Sequence, residues 1–411
     1  MTATALQQEE HLPEAIVCKW CGKSFHYLKS HISMGRCENI PESAKGLDVD
    51  EVVKMYTSAF PDEPTISRTA LAKLNEKRAE KYSGEGKVAE ISAHPGYAGT
   101  VEYKTELVAA HELLGVTIKE LGTPRGKPLQ VTVNVNTPYP EFVPEAKKNY
   151  VYGDFDLIKD IFMMLEIGIP GYLWGHAGTG KSSLPTQLCA LLNRPLIRAQ
   201  HTASMEEAHV TGQILARDGS TYFEPGLLAL AMKNGWVYLA DEYDFAFPQI
   251  LGVYQPVLEG EPLIIKEATP DWRRITPHKR FAFIGTGNTN GSGDETGLYQ
   301  GTNIQNAANF SRFGIVSNVK YMSTKAEVNM LAEAGVIREY AEKMVKFANL
   351  VREGYEQHLI SQPIGPRELL LSAKIGMMRG DFSAGIEKAF INKLPSTSAQ
   401  AAREVVQKIF G

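Results

Sequence analysis

The sequence has little cysteine, little net charge and no long apolar run, and each shortage excludes a class of protein. Four cysteines in 411 residues are too few for a disulfide framework. A formal net charge of −4 gives no general argument for nucleic acid binding. No run of about 18 apolar residues occurs, and residues 1–14 lack the basic and apolar pattern of a signal peptide. With 43% hydrophobic and 22% charged residues, we expect a soluble cytoplasmic protein without a membrane partner.

One stretch that is present matches the phosphate-loop pattern G-x-x-x-x-G-K-[ST] at every fixed position. Its residues are Gly175-His176-Ala177-Gly178-Thr179-Gly180-Lys181-Ser182. A short apolar run before the loop predicts a strand, and leucines at helical spacing after it predict a helix. Backbone N–H groups would surround the phosphates, Lys181 would add charge near the β- and γ-phosphates, and the Ser182 hydroxyl would hold Mg²⁺. We therefore expect the loop and Ser183 to bind ATP, with His176 as an incidental residue at a free position.

Three of the four cysteines cluster near the N-terminus with the spacing C-x2-C-x9-H-x5-C. The four candidate ligands are Cys18, Cys21, His31 and Cys37. Three thiolates and one imidazole suit tetrahedral Zn²⁺, so the spacing predicts a zinc knuckle. His26 is the alternative to His31, although His31 spaces better with Cys37, and a chance grouping is the alternative to a metal site. Five basic against three acidic residues over 14–45 are too weak a bias to predict DNA binding.

From residue 150 onward, strands alternate with helices, which predicts a parallel sheet covered on both faces. The five predicted strands are 171–174, 195–199, 235–240, 280–286 and 314–321. The third runs into Asp241 and Glu242. Buried carboxylates are costly unless they serve a chemical role, and two surface acids at a strand end are the alternative. Asp241 would hold Mg²⁺ together with Ser182, and Glu242 would orient and polarise an attacking water. Asn288 follows the fourth strand and would sense the γ-phosphate, although a simple loop cap and the nearby Asn290 stay as alternatives.

The remaining regions predict structure rather than chemistry. Within residues 46–149, the sequence pattern predicts helices near 68–81 and 102–114 and a strand at 129–135. Two hairpins are predicted, at 214–223 around Asp218-Gly219 and between 263–266 and 273–276. Tyr222 and Phe223 in the first hairpin are either partner contacts or hairpin packing. Helices dominate after residue 325, including 366–379 and 384–392. Two predictions concern burial. Cys189 should be buried as a small apolar residue. A stripe at helical spacing should belong to the core, and its members are Ile337, Tyr340, Met344, Phe347 and Val351.

The order and spacing of these motifs resemble an AAA+ ATPase. Residues 171–321 resemble the MoxR group and, more narrowly, the ATPase subunit of aerobic cobaltochelatase. The most telling stretches are Asp241-Glu242-Tyr243-Asp244, Val257-Leu258-Glu259-Gly260, Gly297-Leu298-Tyr299-Gln300-Gly301-Thr302, Asn309-Phe310-Ser311-Arg312-Phe313 and Gly365-Pro366-Arg367. The resemblance implies an α/β AAA+ P-loop core with a five-stranded parallel sheet over 150–322 and a helical lid over 323–411. A small zinc-binding module over 1–45 and a linker with an adaptor region over 46–149 would precede them.

The resemblance also implies roles and partners. Arg312 would be an arginine finger that reaches a neighbouring subunit, and Arg367 would sense the γ-phosphate within its own subunit; for each, an arginine packed against helix-terminal carbonyls is the alternative. The expected assembly is a ring, as a hexamer, that hydrolyses ATP with Mg²⁺ and remodels a partner. The implied partners are a protein with an adhesion-type (VWA-type) domain and a large chelatase-like subunit that inserts cobalt. The alternatives are an ATP-driven nucleic acid machine recruited through the knuckle and a module that binds nucleotide without turnover.

Overall fold

The computed structural model describes residues 13–33, 36–45, 47–61, 63–70, 73, 101–123, 125–217 and 219–411. The chain divides into two compact units, Met1–Pro95 and Gly96–Gly411. Across these described ranges, no helix is both long enough and apolar enough to cross a bilayer.

The described part of the N-terminal unit contains a small hairpin followed by helices. Its elements are β1 (Ile16–Val17), β2 (Ser24–Phe25), α1 (Leu28–Ser33) and α2 (Val49–Ala59). Val52 and Tyr56 of α2 are buried in the same core as Phe25 of β2. The Tyr56 hydroxyl also accepts the backbone N–H of Lys19 at 3.0 Å. The core of this unit therefore draws on residues from both sides of position 45. Of the helix predicted at 68–81, residues 68–70 and 73 are helical, and the rest lies outside the described residues.

The second unit begins with a two-stranded antiparallel sheet. Its elements are β3 (Thr105–Ala109), α3 (Ala110–Leu114), α4 (Ile118–Leu121) and β4 (Gln130–Asn134). The strand predicted at 129–135 is confirmed as β4. The helix predicted at 102–114 is wrong in its first half, which forms β3, because Val108 pairs opposite Val131 of the later strand. Cross-strand pairing of β-branched residues outweighed local helical spacing at this position.

The central sheet has five parallel strands, as the sequence predicts. They are β5 (Gly171–Trp174), β6 (Leu196–Gln200), β9 (Val237–Asp241), β12 (Ala282–Gly287) and β13 (Ile315–Asn318). Their spatial order is β13-β5-β12-β9-β6, with every neighbouring pair parallel. β9 and β12 are buried along their whole length, as expected for strands covered on both faces. The carboxyl ends of β5, β9 and β12 therefore meet at one edge, where their last residues and following loops lie close together.

Helices cover this sheet, and two hairpins extend from it. The helices are α5 (Phe155–Ile167), α6 (Ser183–Leu191), α7 (Glu207–Thr211), α8 (Leu227–Asn234), α9 (Pro248–Leu251), α10 (Gln255–Leu258), α11 (Pro270–Arg273) and α12 (Ala307–Phe310). Both predicted hairpins are confirmed, as β7 (Gly212–Arg217) with β8 (Ser220–Pro225) and as β10 (Leu263–Ile264) with β11 (Arg274–Ile275). Asp218 lies outside the described residues. Phe223 is buried against Trp272, at 6.4 Å between ring centroids, so it is a packing residue, whereas Tyr222 is only half-buried.

The C-terminal part is helical, as expected for a lid. Its helices are α13 (Thr324–Glu333), α14 (Arg338–Glu356), α15 (Pro366–Arg379), α16 (Phe382–Ala389) and α17 (Ser396–Phe410). Three members of the stripe predicted on α14 are buried: Met344, Phe347 and Val351. The other two are not, because Ile337 precedes the helix and is 71% exposed, and Tyr340 in its first turn is 38% exposed. Cys189 of α6 is buried, as predicted.

Candidate functional site

The phosphate loop lies between β5 and α6, as the motif requires. Thr179 donates its hydroxyl to the carbonyl of His176 at 2.9 Å, and Ser183 donates to the carbonyl of Gly180 at 3.4 Å. Gly178 has a φ of +80°, a conformation that glycine adopts without strain. A Cβ at Gly178 would lie 3.3 Å from the Cβ of Arg367, so the start of α15 is close to the loop. The exposed Arg367 side chain is therefore next to the loop of its own chain.

Lys181 is buried at the centre of the loop and is surrounded by oxygen atoms. Its Nζ donates to the carbonyls of Gly175 at 2.8 Å and His176 at 3.0 Å, and to Asn288 Oδ1 at 2.9 Å. Burial lowers the pKa of Lys181 to about 8, although nearby carboxylates oppose this effect. Phosphate oxygens of a bound nucleotide would take the place of these two loop carbonyls as acceptors for the Lys181 ammonium group.

Asp241 ends β9 beside Ser182. Its Oδ1 accepts the Ser182 hydroxyl and, at 2.5 Å, the Thr286 hydroxyl. Its Oδ2 accepts two N–H groups of Arg198, a residue that the sequence analysis did not single out. Burial raises the pKa of Asp241, but the hydrogen bonds from these partners outweigh burial and hold the pKa below its usual value. A hydroxyl beside an ionised carboxylate offers hard oxygen ligands, which Mg²⁺ prefers, so Ser182 and Asp241 fit this ion.

Glu242 follows Asp241 and is linked to the lysine through one amide. Asn288 donates its Nδ2 to Glu242 Oε2 at 2.8 Å while its Oδ1 accepts Lys181. Glu242 has a φ of +54°, a strained conformation for a residue with a Cβ, and such strain is concentrated at functional sites. Burial raises the pKa of Glu242, and the charge of Lys181 opposes that rise. The other candidate, Asn290, is exposed and accepts hydrogen bonds from Ser292 in its own turn.

Asp244 is a buried carboxylate that positions the asparagine, and the sequence analysis assigned it no role. Its Oδ2 accepts the backbone N–H groups of Asn288 at 2.8 Å and Thr289 at 2.9 Å. The Thr289 hydroxyl donates to the same oxygen at 3.0 Å. Burial raises the pKa of Asp244, and these hydrogen bonds oppose the rise. A third acid only three residues after Asp241 is the sequence signal that could have identified it.

His176 lies at a free position of the motif and is packed against three tyrosines. Its Nδ1 lies 2.8 Å from the hydroxyl of Tyr299, which also accepts the backbone N–H of Ala177 at 3.2 Å. The imidazole stacks on Tyr321 with 5.8 Å between centroids and meets Tyr355 of α14 edge-on at the same distance. Burial lowers the pKa of His176. The phosphate loop is thus held by aromatic residues from the segment after β12, the segment after β13, and the lid.

Arg312 lies just after α12 and is paired within its own chain. Its Nε donates to Glu259 at 2.7 Å, and its Nη1 donates to the carbonyl of Ala308. Its side chain is 25% exposed, so the guanidinium remains accessible to another molecule. Arg312 therefore has the contact with a helix-terminal carbonyl that was the alternative to a finger, and its side chain is partly exposed.

The N-terminal unit brings the four predicted zinc ligands together. The Sγ atoms of Cys18 and Cys37 are 3.8 Å apart, and Cys21 Sγ is 3.3 Å from His31 Nε2. All four ligand atoms lie within 4.8 Å of one another, and the three cysteines are free thiols. Zn–S bonds of about 2.3 Å at tetrahedral angles place two sulfur atoms about 3.8 Å apart, so the group fits zinc. His26 is not in this group, and its Nδ1 instead lies 3.0 Å from the Ser67 hydroxyl.

The sheet, the loop and the carboxylates at its edge define a P-loop nucleotide-binding protein of the AAA+ class. The family model "AAA domain (dynein-related subfamily)" matches residues 172–302. Aerobic cobaltochelatase subunit CobS of Sinorhizobium sp. is 32% identical over 249 residues, which cover 58% of this chain and 74% of CobS. The chain belongs to the family of AAA+ ATPases that includes CobS.

Two further proteins are similar to the chain. An uncharacterized protein of Staphylococcus aureus (strain NCTC 8325) is 23% identical over 265 residues, which cover 62% of this chain and 96% of that protein. The structure of the RuvB Holliday junction branch migration motor from Thermotoga maritima is 13% identical, covers 65% of this chain and 72% of that one, and has a TM-score of 0.37.

Proposed function

We propose that this protein hydrolyses ATP to ADP and phosphate and uses the reaction to remodel a partner as a ring-shaped motor of the MoxR type. The observation that carries the proposal is the continuous contact from Lys181 through Asn288 to Glu242. It joins a phosphate-binding cation, an amide and a carboxylate at the edge of the sheet where the phosphate loop opens. This is the combination that phosphoryl transfer to water requires.

The residues divide the reaction between them. Lys181 and the loop N–H groups bind the β- and γ-phosphates, while Ser182 and Asp241 hold Mg²⁺, which when bound neutralises charge on the phosphates. Asn288 fixes the carboxylate of Glu242 through Nδ2. Glu242 orients the attacking water and accepts its proton, and a burial-raised pKa makes it a stronger base. Arg367 contacts the γ-phosphate from the lid of the same chain.

Phosphate release from Mg·ATP by the purified full-length chain tests the proposed reaction. We expect turnover with ATP and Mg²⁺ and none when EDTA removes the metal, because the γ-phosphate charge is then not neutralised. A chain that binds ATP tightly but releases no phosphate would identify a nucleotide-binding module without turnover instead.

The arginine finger gives a prediction about neighbouring subunits. When Arg312→Ala chains, whose own catalytic carboxylate is intact, are mixed with Glu242→Gln chains, whose finger is intact, we expect turnover that neither variant shows alone, because the finger of one chain completes the site of its neighbour. Arginine fingers contribute a factor of about 10³–10⁵ to turnover. Glu259→Gln is the control, because it removes the negative charge that pairs with Arg312 within its own chain but keeps the guanidinium. No turnover in the mixed rings, or a loss in Glu259→Gln equal to that in Arg312→Ala, would contradict the role of Arg312 as a finger for a neighbouring site.

The partner follows from the relationship to CobS. We infer a client that includes a large chelatase-like subunit and a protein with an adhesion-type domain, and a ring of six subunits that acts on them. Capture of the Glu242→Gln chain with ATP from its native extract, followed by mass spectrometry, identifies what is bound. Recovery of nucleic acid, or of proteins of other classes, would assign the motor to a different client.

A further inference from the structure

Arg198 is placed at the magnesium side of the site by strand pairing. In the parallel pair of β6 and β9, Arg198 lies opposite Leu239, two residues before Asp241. Side chains two residues apart on a strand share a face of the sheet, so Arg198 and Asp241 project on the same side. Arg198 Nε is 2.6 Å from Asp241 Oδ2, and Nη2 donates to the same oxygen.

The carboxylate has partners on both oxygens. Ser182 and Thr286 donate to Oδ1, and Arg198 occupies Oδ2. Among these three hydrogen-bond partners, only the arginine carries a charge that balances the buried Asp241. A buried ionised carboxylate is costly without such a partner.

The two members of this ion pair differ strongly in exposure. The Asp241 side chain is 2% exposed, whereas the Arg198 side chain is 56% exposed. The carboxylate cannot move into solvent, but the guanidinium already contacts water and loses little hydration by leaving. A divalent cation that approaches Asp241 beside Ser182 would therefore encounter a movable positive charge on the other oxygen of the same carboxylate.

We propose that Arg198 is a positioning residue that neutralises Asp241 while the site is empty and releases this carboxylate when Mg²⁺ enters with the nucleotide. The inference rests on the proposed magnesium–nucleotide site. Guanidinium and Mg²⁺ are both cations and both are attracted to the same carboxylate, so they repel each other and each weakens the binding of the other. Arg198 then sets how much Mg²⁺ the protein requires before nucleotide binds tightly.

The test is the Mg²⁺ dependence of nucleotide affinity, measured by fluorescence with mant-ADP over a series of free Mg²⁺ concentrations. For Arg198→Gln we expect the Mg²⁺ concentration at half-effect to fall by about tenfold, because the competing charge-assisted contact is gone. Arg198→Lys keeps the charge but not the two-pronged contact. Its Mg²⁺ concentration at half-effect should therefore lie between those of Arg198→Gln and wild type. Arg338→Gln removes an exposed arginine of the lid and should leave the value unchanged.

A second readout is thermal stability without metal. In EDTA, Arg198→Gln should melt below wild type, since buried Asp241 has lost its cation, and Mg·ADP should raise its melting temperature by more than it raises that of wild type. If wild type shows Mg²⁺-dependent binding but Arg198→Gln needs equal or more Mg²⁺, the role of Arg198 is wrong and the nucleotide site stands. If wild type binds mant-ADP without any Mg²⁺ effect, the proposed magnesium site fails as well. If Arg198→Gln does not fold, the Mg²⁺ dependence of mant-ADP binding by Arg198→Lys tests the role of Arg198 in the same way.

Discussion

Glu242→Gln should abolish ATP turnover while nucleotide binding and ring assembly remain. We expect phosphate release to fall by a factor of about 100 to 10,000, the contribution typical of general acid–base catalysis. The affinity for Mg·ATP should stay within a few-fold of wild type, because Lys181, Ser182 and Asp241 are untouched. Phosphate release and mant-ATP binding on the same preparation measure the two effects separately.

The physical reason lies in what the substitution keeps. Asn288 donates to one oxygen of Glu242, and the carbonyl of glutamine can accept the same hydrogen bond. The other atom becomes an NH₂ group, which cannot take a proton from water. The geometry is therefore preserved and only the base is lost.

Glu295→Gln is a matched control for this experiment. Glu295 is exposed in the loop after β12, and its carboxylate accepts the hydroxyl of Ser292 rather than contacting Lys181 or Asn288. The same chemical change there should leave turnover at the wild-type rate. Turnover unchanged in Glu242→Gln would remove Glu242 from the base role, and lost binding would show that it holds nucleotide instead.

Much of the ATP site could be predicted because its chemistry is local in sequence. The phosphate loop is contiguous, and Asp241 follows an apolar run that can only be a buried strand. Parallel strands place their carboxyl ends together, so Asp241 and Asn288 were expected near Lys181 without any knowledge of tertiary contacts. The structure places them there.

Arg198, Asp244 and Tyr299 show what the sequence did not reveal. Arg198 lies inside a strand, where it reads as a polar interruption, and its contact with Asp241 depends on the strand order β9-β6. Tyr299 reaches the phosphate loop from 123 residues away through a hydrogen bond to His176. Periodicity describes which face a residue occupies but does not show which distant residue it meets. The same limit explains β3, whose pairing with β4 was not visible within 102–114.

Removal of zinc should unfold the N-terminal unit. Structural zinc contributes about 10–16 kcal/mol of apparent binding free energy in zinc-finger peptides, far more than a small core of this kind supplies. Wild-type protein should carry about one zinc per chain by elemental analysis. With the metal bound, none of the four thiols should react quickly with a thiol reagent. After chelation three should react, while Cys189, buried in α6, stays protected as an internal reference.

Two nearby histidines provide the matched comparison. His31→Ala removes a ligand whose Nε2 lies 3.3 Å from Cys21 Sγ, and it should lose zinc and expose the three thiols. His26→Ala changes the same residue type five positions earlier, where the imidazole contacts Ser67, and it should keep the metal. Equal zinc loss in both variants would mean that folding of the hairpin, rather than ligation by His31, controls retention. Three reactive thiols and no zinc in the wild-type chain would show that the cluster is not a metal site, because a bound thiolate is shielded from the reagent.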